Sequence, residues 1–146
     1  MTKGKISIAV INQRVLWIRE MMDSLKELPL QNKEEFFRDK RNVAAAESYL
    51  RRALEALFDI GRHILAKRFA FPASEYKEIA EKLHEKKVLP EKDRTLMRQM
   101  AGYRNRMVHF YHQVNAEELY DICIRHLDDI SRLVDVLLKW IRNLKE

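Results

Sequence analysis

Glycine, proline and cysteine are scarce in this chain of 146 residues, which contains three Gly, three Pro and one Cys. So few turn-forming residues leave little room for many tight turns and indicate a mostly helical protein. The single cysteine, Cys123, excludes an intramolecular disulfide, and its apolar helical surroundings predict a small buried side chain. The length fits one domain that spans residues 1–146.

Long apolar runs are also missing. No stretch approaches the length of a membrane span, and the N-terminus lacks the hydrophobic region and cleavage site of a signal peptide. We therefore expect a soluble, cytoplasmic protein without a membrane partner. Charged residues make up 34% of the chain and the formal net charge is +6, which favours an anionic partner but does not determine the fold.

Apolar residues recur at helical spacing in several segments. These segments are Lys5–Leu28, Asn32–Phe69, Ser74–Lys86, a stretch that begins near Glu91, and Asn115–Leu144. They predict an all-α bundle of four to five helices, with N-caps at Asn32, Ser74 and Asn115. The second segment is too long for one helix of a small bundle, so we expect a bend or break between Ala44 and Tyr49. The first has more apolar residues than one partner helix needs, which predicts burial on two sides, within the bundle or at a subunit contact.

One segment carries the residue types of a reactive site. Arg104, His109 and Tyr111 follow the spacing Arg-x4-His-x-Tyr. A guanidinium fits phosphate oxygens and an imidazole can give or take a proton near neutral pH. A phenol can donate a hydrogen bond or accept a modification. Together they predict phosphoryl chemistry without a metal, whereas the alternative is that they are ordinary surface groups of a basic helix.

The charge around this motif has one sign. From Arg94 to Ala116 the sequence contains no Asp or Glu, and it includes Arg98, Arg104 and Arg106 besides Arg94. An uncompensated positive surface of this kind attracts phosphate backbones. The alternative is that acids on other helices pair with these arginines.

Two pairs of residues that include histidine have the spacing of metal ligands. Glu81-x-x-His84 matches half of a carboxylate-bridged site, but the sequence has no second copy of that pattern. His109-x-x-His112 has no neighbouring carboxylate or thiol to complete a coordination shell. We therefore expect no metal and no cofactor, and we interpret His84 as a surface residue.

Other polar residues have simpler interpretations. Asp39, Glu47 and Asp59 can orient a catalytic base, but solvated or ion-paired helix residues are the more common case. His126 fills the one open position of a heptad alternation in the last segment, which predicts a core or interface histidine.

Two stretches of the sequence are similar to a known family. Met100-Ala-Gly-Tyr-Arg-Asn followed by Val108-His-x-Tyr resembles the active-site segment of the HEPN superfamily, in its HepT-like toxin branch. The stretch Arg52–Ile64 resembles the second helix of that branch, and the resemblance extends over roughly Asn42–Leu137. It implies a HEPN-like up-and-down bundle that forms a homodimer, with two copies of Arg104 and His109 in a shared cleft.

The resemblance also implies a chemistry. By this resemblance, the protein would be a toxin that cleaves RNA as a metal-independent endoribonuclease and leaves a 2′,3′-cyclic phosphate. Arg104 would hold the scissile phosphate, His109 would act as general base or acid, and Asn105 and Arg106 would add phosphate contacts. The implied antitoxin is a nucleotidyltransferase of the MNT type that adenylylates Tyr111. The alternative is a non-catalytic HEPN bundle that binds a nucleotidyltransferase or RNA.

Overall fold

The computed structural model of the chain describes residues 4–108 and 114–145. In these ranges the chain forms seven helices and no strand, which confirms the predicted all-α class. The helices are α1 (Ile8–Lys26), α2 (Lys33–Arg38), α3 (Lys40–Phe69), α4 (Tyr76–Glu85), α5 (Glu91–Val108), α6 (Ala116–Arg125) and α7 (Leu127–Arg142). Among the helices of the described ranges, none combines the length and the apolar character needed to cross a membrane.

Helix α3 is the centre of the bundle. Its 30 residues extend about 45 Å, and it packs against all six other helices. Its buried face includes Leu50, Leu54, Leu57 and Ile64, each with no exposed surface. Helix α4 packs against both α3 and α5. The three helices α3, α4 and α5 therefore form the layer in which Arg104 lies.

The long second segment is interrupted, but not where the sequence indicated. The break lies at Asp39, and α3 continues without interruption through the predicted position between Ala44 and Tyr49. Asp39 is extended (φ −118°, ψ 113°), and its carboxylate accepts a hydrogen bond from the backbone N–H of Arg41. Because aspartate is a favoured N-cap, it ends α2 and starts α3 at this point.

The last segment is interrupted at His126, where α6 ends and α7 begins. The imidazole Nδ1 lies 2.8 Å from Asp129 Oδ2. The ring centroids of His126 and Tyr103 are 5.6 Å apart. With 18% of its side chain exposed, His126 occupies the mostly buried position that the heptad pattern predicted. Cys123 is buried as expected, and burial raises the pKa of its thiol to about 12.

Two of the three predicted N-caps are confirmed. Asn32 and Asn115 each accept a hydrogen bond from the backbone N–H three residues later. The prediction for Ser74 is wrong by one residue, since Glu75 is the N-cap of α4 and its side chain makes no capping hydrogen bond. Ser74 instead donates its backbone N–H to the carboxylate of Glu78.

Helix α1 has two apolar faces. Ile11 and Ile18 lie on the inner face and are 1% and 3% exposed. Ile8, Leu16 and Trp17 lie outside the core and are between 40% and 60% exposed. The chain therefore buries one side of α1, and burial of the other side at a subunit contact stays a prediction.

Candidate functional site

Arg104 lies four residues before the end of α5 and contacts both neighbouring helices of its layer. Its Nη2 donates to Glu55 Oε2 of α3 at 2.9 Å, and its Cζ lies 4.2 Å from the ring centroid of Tyr76 on α4. The side chain is 21% exposed. A guanidinium held by a carboxylate and an aromatic ring has a restricted orientation, as a phosphate-binding arginine requires.

Glu55 belongs to a ladder of charges along α3. Arg51 donates from Nη1 to Glu55 Oε1 at 3.1 Å and from Nε to Glu47 Oε1 at 3.2 Å. The three residues follow one another at intervals of four, so they share one face of the helix. Glu55 is not among the residues predicted from the sequence, although the regular Glu-Arg-Glu spacing marks it as one member of such a ladder.

Tyr76 joins two guanidinium groups. Arg62, like Arg104, contacts this ring, with its Cζ 5.5 Å from the Tyr76 ring centroid. The ring centroids of Phe58 and Tyr76 are 5.0 Å apart. Arg62 also donates to Asp59 Oδ1 at 3.0 Å. Cation–π contacts to one ring therefore place an arginine of α3 close to the arginine of the predicted site.

A surface cavity of about 470 Å³ opens beside Arg104. The cations Arg62, Lys77 and Arg104 line it together with one acid, Glu75, and the amide of Asn105. The Asn105 side chain makes no hydrogen bond with any residue that the structure describes. Among the described lining residues there are three cations, one acid and an amide without a partner in the described ranges, a combination suited to an anionic ligand.

The structure brings Arg104 and Asn105 together but places Arg106 elsewhere. Arg106 forms two hydrogen bonds of 2.6 Å with the carboxylate of Glu118 on α6. These bonds hold the pKa of Glu118 below its ordinary value and that of Arg106 above it. Arg106 does not line the cavity of Arg104, because residues two apart point to different sides of a helix.

The prediction of an uncompensated positive segment from Arg94 to Ala116 is wrong. The alternative, in which acids on other helices pair with its arginines, is confirmed. Arg94 and Arg98 both pair with Glu81, at 3.1 and 2.7 Å, while Arg104 and Arg106 pair with the glutamates named above. The hydrogen bond from Arg98, followed by that from Arg94, lowers the pKa of Glu81. Acids that are distant in the sequence therefore compensate all four arginines.

The histidine beside Glu81 has partners within the protein. His84 Nδ1 lies 2.9 Å from the Leu89 carbonyl oxygen, and its Nε2 lies 3.1 Å from Glu91 Oε2. These contacts connect α4 to the start of α5. With 37% of its side chain exposed, His84 lies at the surface as interpreted from the sequence.

The three acids considered as orienting groups are ion-paired. Asp39 pairs with Arg41, and Glu47 pairs with Arg51 as described above. Asp59 is shared between Arg62 and Arg14. The simpler interpretation of these acids is therefore confirmed.

His109 and Tyr111, the remaining members of the motif, lie outside the described residues. The same holds for His112 and for the metal pattern His109-x-x-His112. The described part of α5 ends at Val108, immediately before His109. The roles predicted for His109 and Tyr111 stay predictions.

Comparisons with known proteins agree with the helical architecture. The family model "Ribonuclease HepT-like" matches residues 18–137. A tri-AMPylated Shewanella oneidensis HEPN toxin in complex with an MNT antitoxin is similar in fold (TM-score 0.80, 20% identity), over 89% of this chain and 97% of that one. A protein from Thermus thermophilus is also similar (TM-score 0.62, 22% identity), over 86% of this chain and 99% of that one. No curated protein matches the chain.

Proposed function

This chain belongs to the HepT-like ribonuclease family, and we propose that it is the ribonuclease toxin of a toxin–antitoxin pair. The observation that carries the proposal is Arg104, which is oriented by Glu55 and Tyr76 at the edge of a positively lined cavity. Its position five residues before His109 falls within the range that the family model matches. An oriented guanidinium and an imidazole five residues later in the sequence are the two groups that phosphodiester cleavage needs.

The proposed reaction is an internal transesterification of RNA. The ribose 2′-oxygen attacks the adjacent phosphorus and gives its proton to a base, while the bond from phosphorus to the 5′-oxygen breaks and that oxygen receives a proton. The products are a 2′,3′-cyclic phosphate and a free 5′-hydroxyl. His109 acts as general base or general acid. Arg104 binds the phosphate and stabilises the charge that grows on its oxygens.

We propose that the active form is a homodimer. Cleavage of this type needs one proton acceptor and one proton donor, and one chain supplies a single His109. A two-fold axis near the motif brings a second Arg104 and a second His109 into the same cleft, so that each imidazole can take one role.

Tyr111 is the proposed point of control. The Shewanella oneidensis toxin of similar fold is AMPylated and bound to an MNT antitoxin. For this chain we propose a partner of the same type, a nucleotidyltransferase that transfers AMP to the Tyr111 hydroxyl. Anionic nucleotides two residues from His109 would occupy the cleft and repel RNA, by the same electrostatic effect as phosphorylation.

Cleavage of total RNA in the presence of EDTA tests the ribonuclease proposal. We expect degradation by the wild-type protein, a loss of about 100-fold or more in Arg104→Ala, and loss of activity in His109→Ala. Arg98→Ala is the matched control, because it removes a paired arginine of the same helix that does not line the cavity. Intact RNA with the wild-type protein would favour the non-catalytic binding bundle, and dependence on a divalent ion would contradict the metal-free mechanism.

Mass spectrometry tests the proposed control. We expect added AMP on Tyr111 after incubation with ATP and a small nucleotidyltransferase encoded by a neighbouring gene, together with loss of cleavage. Tyr111→Phe should stay unmodified and active, whereas Tyr103→Phe should still be modified. AMP at another residue, or none at all, would contradict the assignment of Tyr111.

A further inference from the structure

The cavity beside Arg104 is lined by two further cationic side chains that have no role in the proposed cleavage mechanism. Arg62 on α3 and Lys77 on α4 line it, and neither belongs to the Arg-x4-His-x-Tyr motif. Because Arg62 and Arg104 contact the ring of Tyr76 at 5.5 and 4.2 Å from its centroid, their Cζ atoms are less than 10 Å apart. One ribonucleotide unit can therefore reach both.

The acids around the cavity do not neutralise these cations fully. Asp59 is shared between Arg62 and Arg14, so one carboxylate serves two guanidinium groups. Lys77 is exposed and has no ion-pair partner in the described part of the chain. Glu75 is the one acid among the lining residues that the structure describes. Among the described lining residues, Lys77 is therefore the cation that keeps its charge without an ion-pair partner, and Arg62 shares its partner with Arg14.

The start of α4 also lines the cavity. Glu75, Tyr76 and Lys77 begin the helix and line the cavity, and the N-cap side chain makes no hydrogen bond to the first turn. The cavity volume, about 470 Å³, lies in the range of sites that hold a nucleotide-sized ligand.

We propose that Arg62 and Lys77, together with the amide of Asn105, form a second phosphate subsite that holds an RNA phosphodiester next to the one cleaved at Arg104. This inference rests on the proposed ribonuclease function and adds the residues that bind the substrate strand beyond the scissile bond. Tyr76 is a positioning residue in this subsite, since it keeps Arg62 and Arg104 on one ring.

Binding of a fluorescently labelled, single-stranded oligouridylate tests the subsite in the His109→Ala background, where no cleavage interferes. We expect Lys77→Ala to weaken binding about three- to fivefold at low salt, the range for one exposed charge contact. It should also reduce the slope of log Kd against log salt concentration by about 0.7, the value for one phosphate contact on a single strand.

Lys92→Ala is the matched control. Lys92 is an exposed lysine without an ion-pair partner among the described residues, and it lies on α5 about 18 Å along the helix from Arg104. This variant changes the net charge by the same amount away from the cavity, so both the affinity and the salt slope should stay close to those of the parent. Equal effects of the two lysine variants would overturn the subsite, because the loss would then reflect net charge alone.

A cleavage measurement separates the subsite from the function on which it rests. A dinucleoside monophosphate contains only the scissile phosphate, whereas an oligouridylate also has neighbouring ones. Lys77→Ala should lower the ratio of kcat/KM for the oligomer to that for the dinucleoside about three- to fivefold. An unchanged ratio, with cleavage still lost in Arg104→Ala, would overturn the subsite and leave the ribonuclease intact. If the wild-type protein does not cleave RNA, the function is wrong and the binding measurement alone decides the subsite.

Discussion

Replacement of Glu55 should lower the rate of RNA cleavage although this residue need not touch the substrate. Glu55 fixes Arg104 through the hydrogen bond from Nη2, and Arg51 holds the same carboxylate from the other side. In Glu55→Ala, the guanidinium keeps its contact with Tyr76 but loses its only carboxylate partner among the described residues. We expect Arg104 to sample more orientations, and therefore to stabilise the transition state less well.

The size of this effect follows from the exposure of the pair. Two unit charges 4 Å apart attract by about 4 kcal/mol at an effective dielectric constant of about 20. The two side chains are 21% and 29% exposed, so desolvation and side-chain ordering reduce the net contribution to about 1 kcal/mol. If this free energy maintains the productive orientation, its loss lowers kcat about fivefold. That is much smaller than the loss of about 100-fold or more expected when Arg104 itself is removed.

Steady-state cleavage of an oligoribonucleotide measures this effect. We expect kcat to fall in Glu55→Ala while KM changes little, and Glu55→Gln to fall less because its amide oxygen can still accept a hydrogen bond. Glu47→Ala is the control, since Glu47 pairs with the same Arg51 but does not pair with Arg104. A wild-type kcat in Glu55→Ala, or an equal loss in Glu47→Ala, would refute the positioning role.

Three further predictions concern the surroundings of the site. Gly61→Ala should destabilise the fold by about 1–3 kcal/mol, because the added Cβ would lie 2.8 Å from Ile79 Cγ2. Gly102→Ala should stabilise the fold by up to about 1 kcal/mol, because the added Cβ meets open space and alanine favours the helix. Thermal unfolding measures both. Tyr76→Leu should reduce cleavage more than Tyr76→Phe, which keeps the cation–π contacts; equal losses would contradict this. The pKa of His63 is lowered, mainly because the imidazole is partly buried. In its neutral form the ring accepts a hydrogen bond from the backbone N–H of Ser7. Stability should therefore fall as the pH drops below about 6.5 towards that lowered pKa, less so in His63→Gln, as unfolding at several pH values would show.

The helices could be predicted from periodicity, but not all of their ends. The apolar spacing of α1, α4 and α5 is local, so it is visible in the sequence. The break at Asp39 was misplaced because periodicity carries through it, and the local N-cap geometry decides where α3 begins. The split at His126 is hidden for a similar reason, since buried Cys123 and Ile130 keep the heptad phase across it.

The partners of the arginines could not be predicted in the same way. Arg104 and Glu55 are separated by 49 positions, and only the packing of α5 against α3 brings them together. Arg62 and Lys77 reach the same cavity from two different helices. A motif of three residues therefore indicated the reactive segment, whereas the residues that orient it depend on the tertiary structure.

Compensation of the arginines of α5 changes how RNA would be attracted, without removing the capacity of Arg104 to bind phosphate. A guanidinium has five N–H donors, and Glu55 engages one nitrogen, Nη2. Orientation by a carboxylate and binding of a phosphate are therefore compatible on one side chain. The attraction over longer distances must come instead from cations that lack a full partner, such as Lys77. The slope of log Kd against log salt concentration should consequently be small, because few charge contacts form with RNA. A slope as steep as that expected for four unpaired arginines would contradict the ion pairs described above.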